Sequence, residues 1–223
     1  MIEKPRGTVS LHAEATIWNV IPVPGRPWAV IEERNDETRQ VSFLAYDYEK
    51  EKIIWRSSLQ SEPWWINLVQ VSSDFVFLKT FESTSNPDKT KWHALSLPDG
   101  KQLETVPEIN LDHTNEVIQP FQYLEGEEDF NTVKLFVENK LSVHPVFGIE
   151  YVEYADFIFI SYYLGGSGMF ANRLACFTKT GNLLWQDEIG TNLKGIGLNT
   201  FFLVPDHLFF VKNKTELVTF GIV

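Results

Sequence analysis

Residues 174–185 read LACFTKTGNLLW: an apolar run, a polar turn built on Gly181, and a second apolar run closed by Trp185. The same frame fits LAYDYEKEKIIW (44–55) without a gap, matching Leu174 to Leu44, Ala175 to Ala45, Leu184 to Ile54 and Trp185 to Trp55. HALSLPDGKQLE (93–104) is a third copy, with Gly100 on Gly181 and Glu104 in place of the Trp. A fourth, LFFVKNKTELVTF (208–220), runs out before its Gly-Trp turn. Glycine in these turns supplies the positive φ of a tight hairpin. Upstream of the copies lie further strand-like runs: WAVIEE (28–33), INLVQVSSD (66–74), FVFLKT (75–80), FIFISYY (157–163) and NTFFLVPDH (199–207).

A supersecondary unit recurring along the chain marks a repeat architecture, and a four-stranded propeller blade takes roughly 40–50 residues. The interval from 51 to 100 then holds one blade, that from 100 to 181 two, and the remainder around the chain ends two more. The spacing predicts an all-β fold, a β-propeller of five blades in a single domain over 1–223, with four blades or an incomplete ring as alternatives. The N-terminal TVSLHAEATI (8–17) is the expected last strand of the C-terminal blade, closing the ring and removing an exposed sheet edge. Against this pattern, EEDFNTVKLFVENKL (127–141) places Phe130, Val133, Phe136, Val137 and Leu141 on one face at helical spacing. A short helical insertion is expected there, with acidic residues at its N-terminus.

Composition bounds the function. Aromatics make up 14% of the chain, as suits pleated, half-buried surfaces. A net charge of −11 excludes the basic footprint that nucleic acid requires, and disfavours anionic membrane surfaces. The sequence carries one cysteine, Cys176, inside the apolar run RLACF, where a buried thiol is expected rather than a nucleophile. Neither a secretory apolar core nor a membrane-length apolar run is legible, so a cytoplasmic location is expected.

The Gly-to-Trp strand pairs resemble the repeats of quinoprotein-like (PQQ-like) β-propellers, FTKTGNLLW being the copy that matches best. The chain also resembles an uncharacterised bacterial domain-of-unknown-function family in VIEERNDETRQVSF, EPWWINL, GIEYVEYADFIFISYY and LKGIGLNTFFL. These resemblances imply a single-domain cytoplasmic propeller and bring no activity with them. Quinone-dependent dehydrogenases share the repeat but are exported and calcium-dependent, so no cofactor is expected here.

Candidate chemistry is sparse. His12, His93, His113, His144 and His207 show no zinc spacing, so no metal site is expected. Ser167 in LGGSGMF has Gly166 before it and Gly168 after it, which is not the glycine spacing of a nucleophile elbow. No catalytic residue is assigned. The densest polar-aromatic cluster is GIEYVEYADFIFISYY (148–163): Glu150, Glu153, Tyr154, Tyr162 and Tyr163, which with Trp64 and Trp65 could line the mouth of a propeller channel. Glu150 and Glu153 stand three apart, so a strand turns them to opposite faces. The expectation is a non-enzymatic binding or scaffold module for another protein or a small molecule. The alternative is a small-molecule-binding or hydrolytic protein with its site at the channel mouth.

Overall fold

Aromatic and β-branched runs become strands throughout the computed structural model, which describes residues 8–59, 64–81, 88–109, 117–166 and 168–222. The chain divides into two compact units, Ser10–Val117 and Ile118–Val223, the latter taking in the residues through Val9. In chain order β1 (Thr8–His12) comes first. The 10–117 unit continues with β2 (Thr16–Pro22), β3 (Trp28–Asn35), β4 (Gln40–Asp47) and β5 (Lys52–Ser57), which form one antiparallel sheet in that order. A second sheet follows, β6 (Ile66–Val71), β7 (Phe75–Phe81) and β8 (Thr90–Ser96). Gln102 bridges back to Leu95 as the remnant of a fourth strand. A shared core, with Phe43, Ala45, Leu68, Leu78 and Leu95 at its centre, lies between the two sheets.

The other unit opens with β9 (Phe121–Leu124), α1 (Glu128–Leu141), β10 (Val146–Tyr154), β11 (Phe157–Gly166), β12 (Met169–Thr178) and β13 (Leu183–Leu193). Its first sheet runs β13-β12-β11-β10-β9, and a second contains β14 (Phe201–Val204), β15 (His207–Lys212) and β16 (Glu216–Gly221). The outer neighbour of β16 is β1, so this last sheet is assembled from both ends of the sequence. One core, including Phe159, Leu174, Phe201, Leu208 and Phe210, joins these two sheets.

Several hairpin turns find a left-handed residue. Gly100 (φ 69) and Gly181 (φ 78) serve where the repeat keeps its glycine, and Glu51 takes φ 50 where it does not. The β15–β16 turn uses Asn213 (φ 53) and Lys214 (φ 65), the paired positive φ of a type I′ turn. Trp55 is buried and donates its indole N–H to the Leu97 carbonyl of the neighbouring sheet at 2.5 Å. Trp185 lies parallel to Phe220 of β16, with ring centroids 4.4 Å apart. The recurring Trp thus fastens one sheet to the next within each unit.

The helix forms at 128–141, within the segment whose periodicity predicts it. Phe130 and Val137 are buried, while Val133, Phe136 and Leu141 pack at the margin of the same cluster. Glu128 and Asp129 occupy its first turn, favourably placed against the helix dipole. Ser142 ends it in the left-handed conformation (φ 56), returning its N–H to the Glu138 carbonyl. Among the described residues there are four sheets. Between Gly100 and Gly181, where the spacing predicts two blades, stand β9–β12, four strands of a single five-stranded sheet, and α1 with the β8–β9 connection takes up the remaining length.

Candidate functional site

Of the seven residues singled out by sequence, Trp64 and Trp65 belong to the 10–117 unit and the other five to the second unit. His113 and Ser167 lie outside the described residues. On β10, Glu150 is buried and Glu153 exposed, as strand alternation requires. Glu153 accepts a short hydrogen bond from the Tyr151 hydroxyl. The Tyr154 hydroxyl accepts the Asp206 N–H at 3.4 Å, a loop contact. Tyr162 packs in the cluster beneath α1 and takes a hydrogen bond from Gln186 at 2.6 Å. Glu150 and Tyr163 are the pair that work together.

Their partners come from residues with no sequence signature. Glu150 pairs across the strands with Ser161 on β11 and Gln122 on β9. Its Oε2 accepts the Thr200 N–H at 2.9 Å and lies 2.5 Å from the Thr200 hydroxyl. That hydroxyl is 2.8 Å from Ser161 Oγ, and Ser161 donates to Asn172 Oδ1 at 2.8 Å. Glu150 is 1% exposed, and its Oε1 is buried without a hydrogen-bond partner. Burial pushes its carboxyl above the ordinary carboxylate range, against the pull of the Thr200 hydroxyl, the Thr200 amide and the nearby Asn199 amide. Burial likewise raises the Tyr163 phenol, helped by the Glu150 charge and opposed by the Gly197 amide and Asn172.

Each hydroxyl in this row carries one hydrogen. With Glu150 protonated, the chain runs Glu150 to Thr200 to Ser161 to Asn172, and every short oxygen–oxygen contact holds one proton. With Glu150 ionised, Thr200 turns its hydrogen to the carboxylate, and the row is complete only if the Asn172 amide reverses; Tyr163, which accepts the Gly197 N–H, then donates to the reversed Asn172 oxygen.

The same network anchors the segment 194–200 between β13 and β14. Tyr163 accepts the Gly197 N–H at 2.7 Å, and Gln122 donates to the Gly197 carbonyl at 2.8 Å. This segment carries Ile196 and Leu198, both exposed. A Cβ built on Gly148 would lie 3.2 Å from Ile196 and 3.7 Å from Leu124, so those two side chains meet over it. Phe147 stands beside Gly148 in the chain, and Leu198 follows Gly197, whose carbonyl takes the Gln122 hydrogen bond. Leu198 (65% exposed) thereby joins Leu124, Phe147 and Ile196 in one exposed apolar surface, whereas Phe121, paired with Tyr151 on β10, stands on the opposite face of the sheet with Tyr123 and α1. Its rim is acidic: Glu125 accepts the Phe147 N–H at 3.3 Å and Glu127 the Leu124 N–H at 2.7 Å, with Glu128 and Asp129 following in α1. Since Glu127 also binds the Leu124 carbonyl through its own N–H at 3.0 Å, the outer edge of β9 is capped there. The surface presents side chains rather than a strand edge.

In the 10–117 unit the conspicuous group is Arg34, 6% exposed between the rings of Trp18 (4.6 Å) and Trp64 (5.3 Å). It bonds Glu32 at 2.6 Å, the Ile66 and Trp64 carbonyls at 2.8 and 3.0 Å, and Asn67 at 2.9 Å. Glu32 in turn accepts the Leu68 N–H at 2.7 Å. Burial raises the Glu32 carboxyl, countered by the Leu68 amide and by Arg34. This saturated ion pair ties β3 to β6. A cleft of about 540 Å³ lined by Arg56, Ser57, Leu59, Gly100 and Lys101 lies at the other side of the unit's hairpins. Its charges are already taken, Arg56 by Glu33 and Glu14 and Lys101 by Asp99. Among the described residues no cluster of three or more His, Cys, Asp or Glu is arranged to hold a metal, and no helix is long and apolar enough to cross a membrane.

Comparison with known proteins adds a family match and little else. A family described as "Domain of unknown function (DUF4905)" matches residues 24–103, which lie within the 10–117 unit. No curated protein sequence matches the chain. A solved structure titled "Crystal structure of the eukaryotic initiation factor" aligns with 93% of this chain at a TM-score of 0.29 and 7% identity. The chain spans about half the length of that structure, 52%.

Proposed function

We propose that the protein is a non-enzymatic binding module, a cytoplasmic bacterial β-propeller of the quinoprotein-like repeat type in which the four described sheets are blades. Each sheet is built from consecutive antiparallel strands, apart from β1, which completes the sheet of β14–β16. That arrangement supports a ring closed by its own termini.

The observation that carries the binding role is the apolar surface of Leu124, Phe147, Ile196 and Leu198. Contiguous exposed apolar side chains mark protein-interaction sites. The acidic rim and the net charge of −11 select a partner whose apolar anchor is flanked by Lys or Arg. They also oppose self-association through this surface, since a second copy would set like charges against each other. Glu150 is enclosed, so it offers no carboxyl to a hydrolytic substrate.

The test is site-specific photocrosslinking in the native host, with p-benzoylphenylalanine at position 124 or 198 and at Leu135, an exposed apolar residue on α1, as control. A discrete heterologous protein adduct at 124 and 198, absent at 135, is expected. The same adducts at all three positions, or none at 124 and 198, would overturn the proposal.

A further inference from the structure

We infer that the segment 194–200 is a latch closed over Glu150, and that the proton on Glu150 sets whether Ile196 and Leu198 are held in the docking surface. The inference rests on the protein-binding role above and assigns that surface a regulator. The latch is fixed at two points, Gly197 through Tyr163 and Gln122, and Thr200 through Glu150. Between and beside those points stand the two exposed side chains that the segment contributes.

Glu150 is a demanding anchor because, among the described residues, no positive charge is placed against it. Gln122 faces it from β9, Ser161 and Tyr163 from β11, Asn172 lies along the same row from β12, and Asn199 and Thr200 face it from the latch. Of these, Tyr163 is the titratable member, and it carries no cation. Glu32 in the other unit, equally buried, has Arg34 against it. An ionised Glu150 must therefore remain in the closed state with one oxygen unpartnered, or gain water by release of the latch. Opening hydrates the carboxyl and lowers its proton affinity. By linkage, a rise in pH shifts the population toward the open form, and a partner that binds the closed surface promotes proton uptake.

The closing experiment is amide hydrogen exchange on the full chain, followed by NMR between pH 5 and pH 8 and corrected for intrinsic rates. The protection of the Gly197 and Thr200 amides is expected to fall by about tenfold over that range. Protection along β11 stays constant. In Glu150→Gln, whose side chain is neutral at every pH, the dependence disappears. Tyr163→Phe removes one anchor and leaves Glu150 in place, so protection drops at all pH values while the pH dependence persists. Protection of Gly197 and Thr200 that is independent of pH in the native chain, or equally dependent in Glu150→Gln, would overturn the latch. This readout needs no partner: crosslinking can fail while the latch stands, and the latch can fail while crosslinking succeeds.

Discussion

A Cβ on Gly100 would lie 2.6 Å from Cδ2 of Trp55, on the neighbouring sheet. The glycine therefore meets two demands at once, a positive φ in its own turn and an empty place for the indole of the previous repeat. Gly100→Ala is expected to destabilise the fold by about 2–4 kcal/mol, combining left-handed strain with overpacking. Gly25 has nearly the same φ, 67, but nothing within 4 Å of its Cβ position, so Gly25→Ala should cost only about 1–2 kcal/mol. Urea denaturation of both variants separates the terms. In Gly100→Ala/Trp55→Ala the two changes should be strongly non-additive, and additivity would show that the indole is not the obstacle.

Strands, glycine turns and the helix were legible in the sequence, because each rests on local chemistry. A glycine at a hairpin and Phe130, Val133 and Val137 on one helical face declare themselves within a short window. The number of sheets was not, because spacing alone does not distinguish a second sheet from a helix plus a connection. The site was half legible. Glu150 and Tyr163 stood out as polar residues in an apolar strand, but Thr200, Asn172 and Gly197 reach them only through strand pairing and the return of the 194–200 segment. Trp18 and Arg34 were missed for the same reason, their relation being a contact across strands.

Stability should be greatest on the acid side of neutrality. Glu32 and Glu150 both hold protons more tightly folded than unfolded. Their stabilising contribution is complete below the ordinary glutamate range and is lost as pH rises through their folded values. Asp47 works in the opposite direction. Burial raises it, but the Lys50 amide and ammonium and the Trp28 indole N–H outweigh burial, so its contribution is lost as pH falls through its lowered value. Urea midpoints at pH 4.5, 6 and 7.5 should decline over that series, and Glu150→Gln should decline less. A native midpoint that rises toward pH 7.5 would contradict the assignment.

Arg34 should not tolerate its usual substitute. Lysine keeps the charge but loses the planar fork that reaches Glu32, Ile66, Trp64 and Asn67 together, and it loses the stacking between two indoles. Arg34→Lys is expected to cost about 1–3 kcal/mol, and Arg34→Ala about 3–5 kcal/mol by leaving Glu32 buried and unpaired. Chemical denaturation gives the loss, and near-ultraviolet circular dichroism reports the Trp18 and Trp64 environments directly. Equal stability of the Arg34→Lys variant and the native chain would mean that the fork is dispensable.

Cys176 should behave as a small apolar side chain. Burial pushes its thiol up to about 12, and it is 1% exposed in the core between sheets. Labelling by a disulfide reagent at pH 8 is expected to proceed only as fast as the protein opens, accelerating with urea in step with unfolding. Rapid labelling of the native chain would place the thiol outside the core.

Removing residues 1–12 should expose the outer edge of β16, which β1 covers. The truncated chain is expected to melt at markedly lower temperature and to self-associate through the freed edge, as scanning calorimetry and sedimentation would show. A melt matching that of the full chain would rule out a closing role for β1.

The position of β1 also imposes an order on biosynthesis. β1 leaves the ribosome before the other described strands and its partner β16 after them, so β1 must wait, unpaired, while the intervening sheets form. Folding can proceed sheet by sheet behind it, but the sheet of β14–β16 becomes complete only after β16 has emerged. A chain broken off early, however well folded in its first sheets, carries a strand with no place to go, which gives quality-control machinery a simple mark of an unfinished molecule.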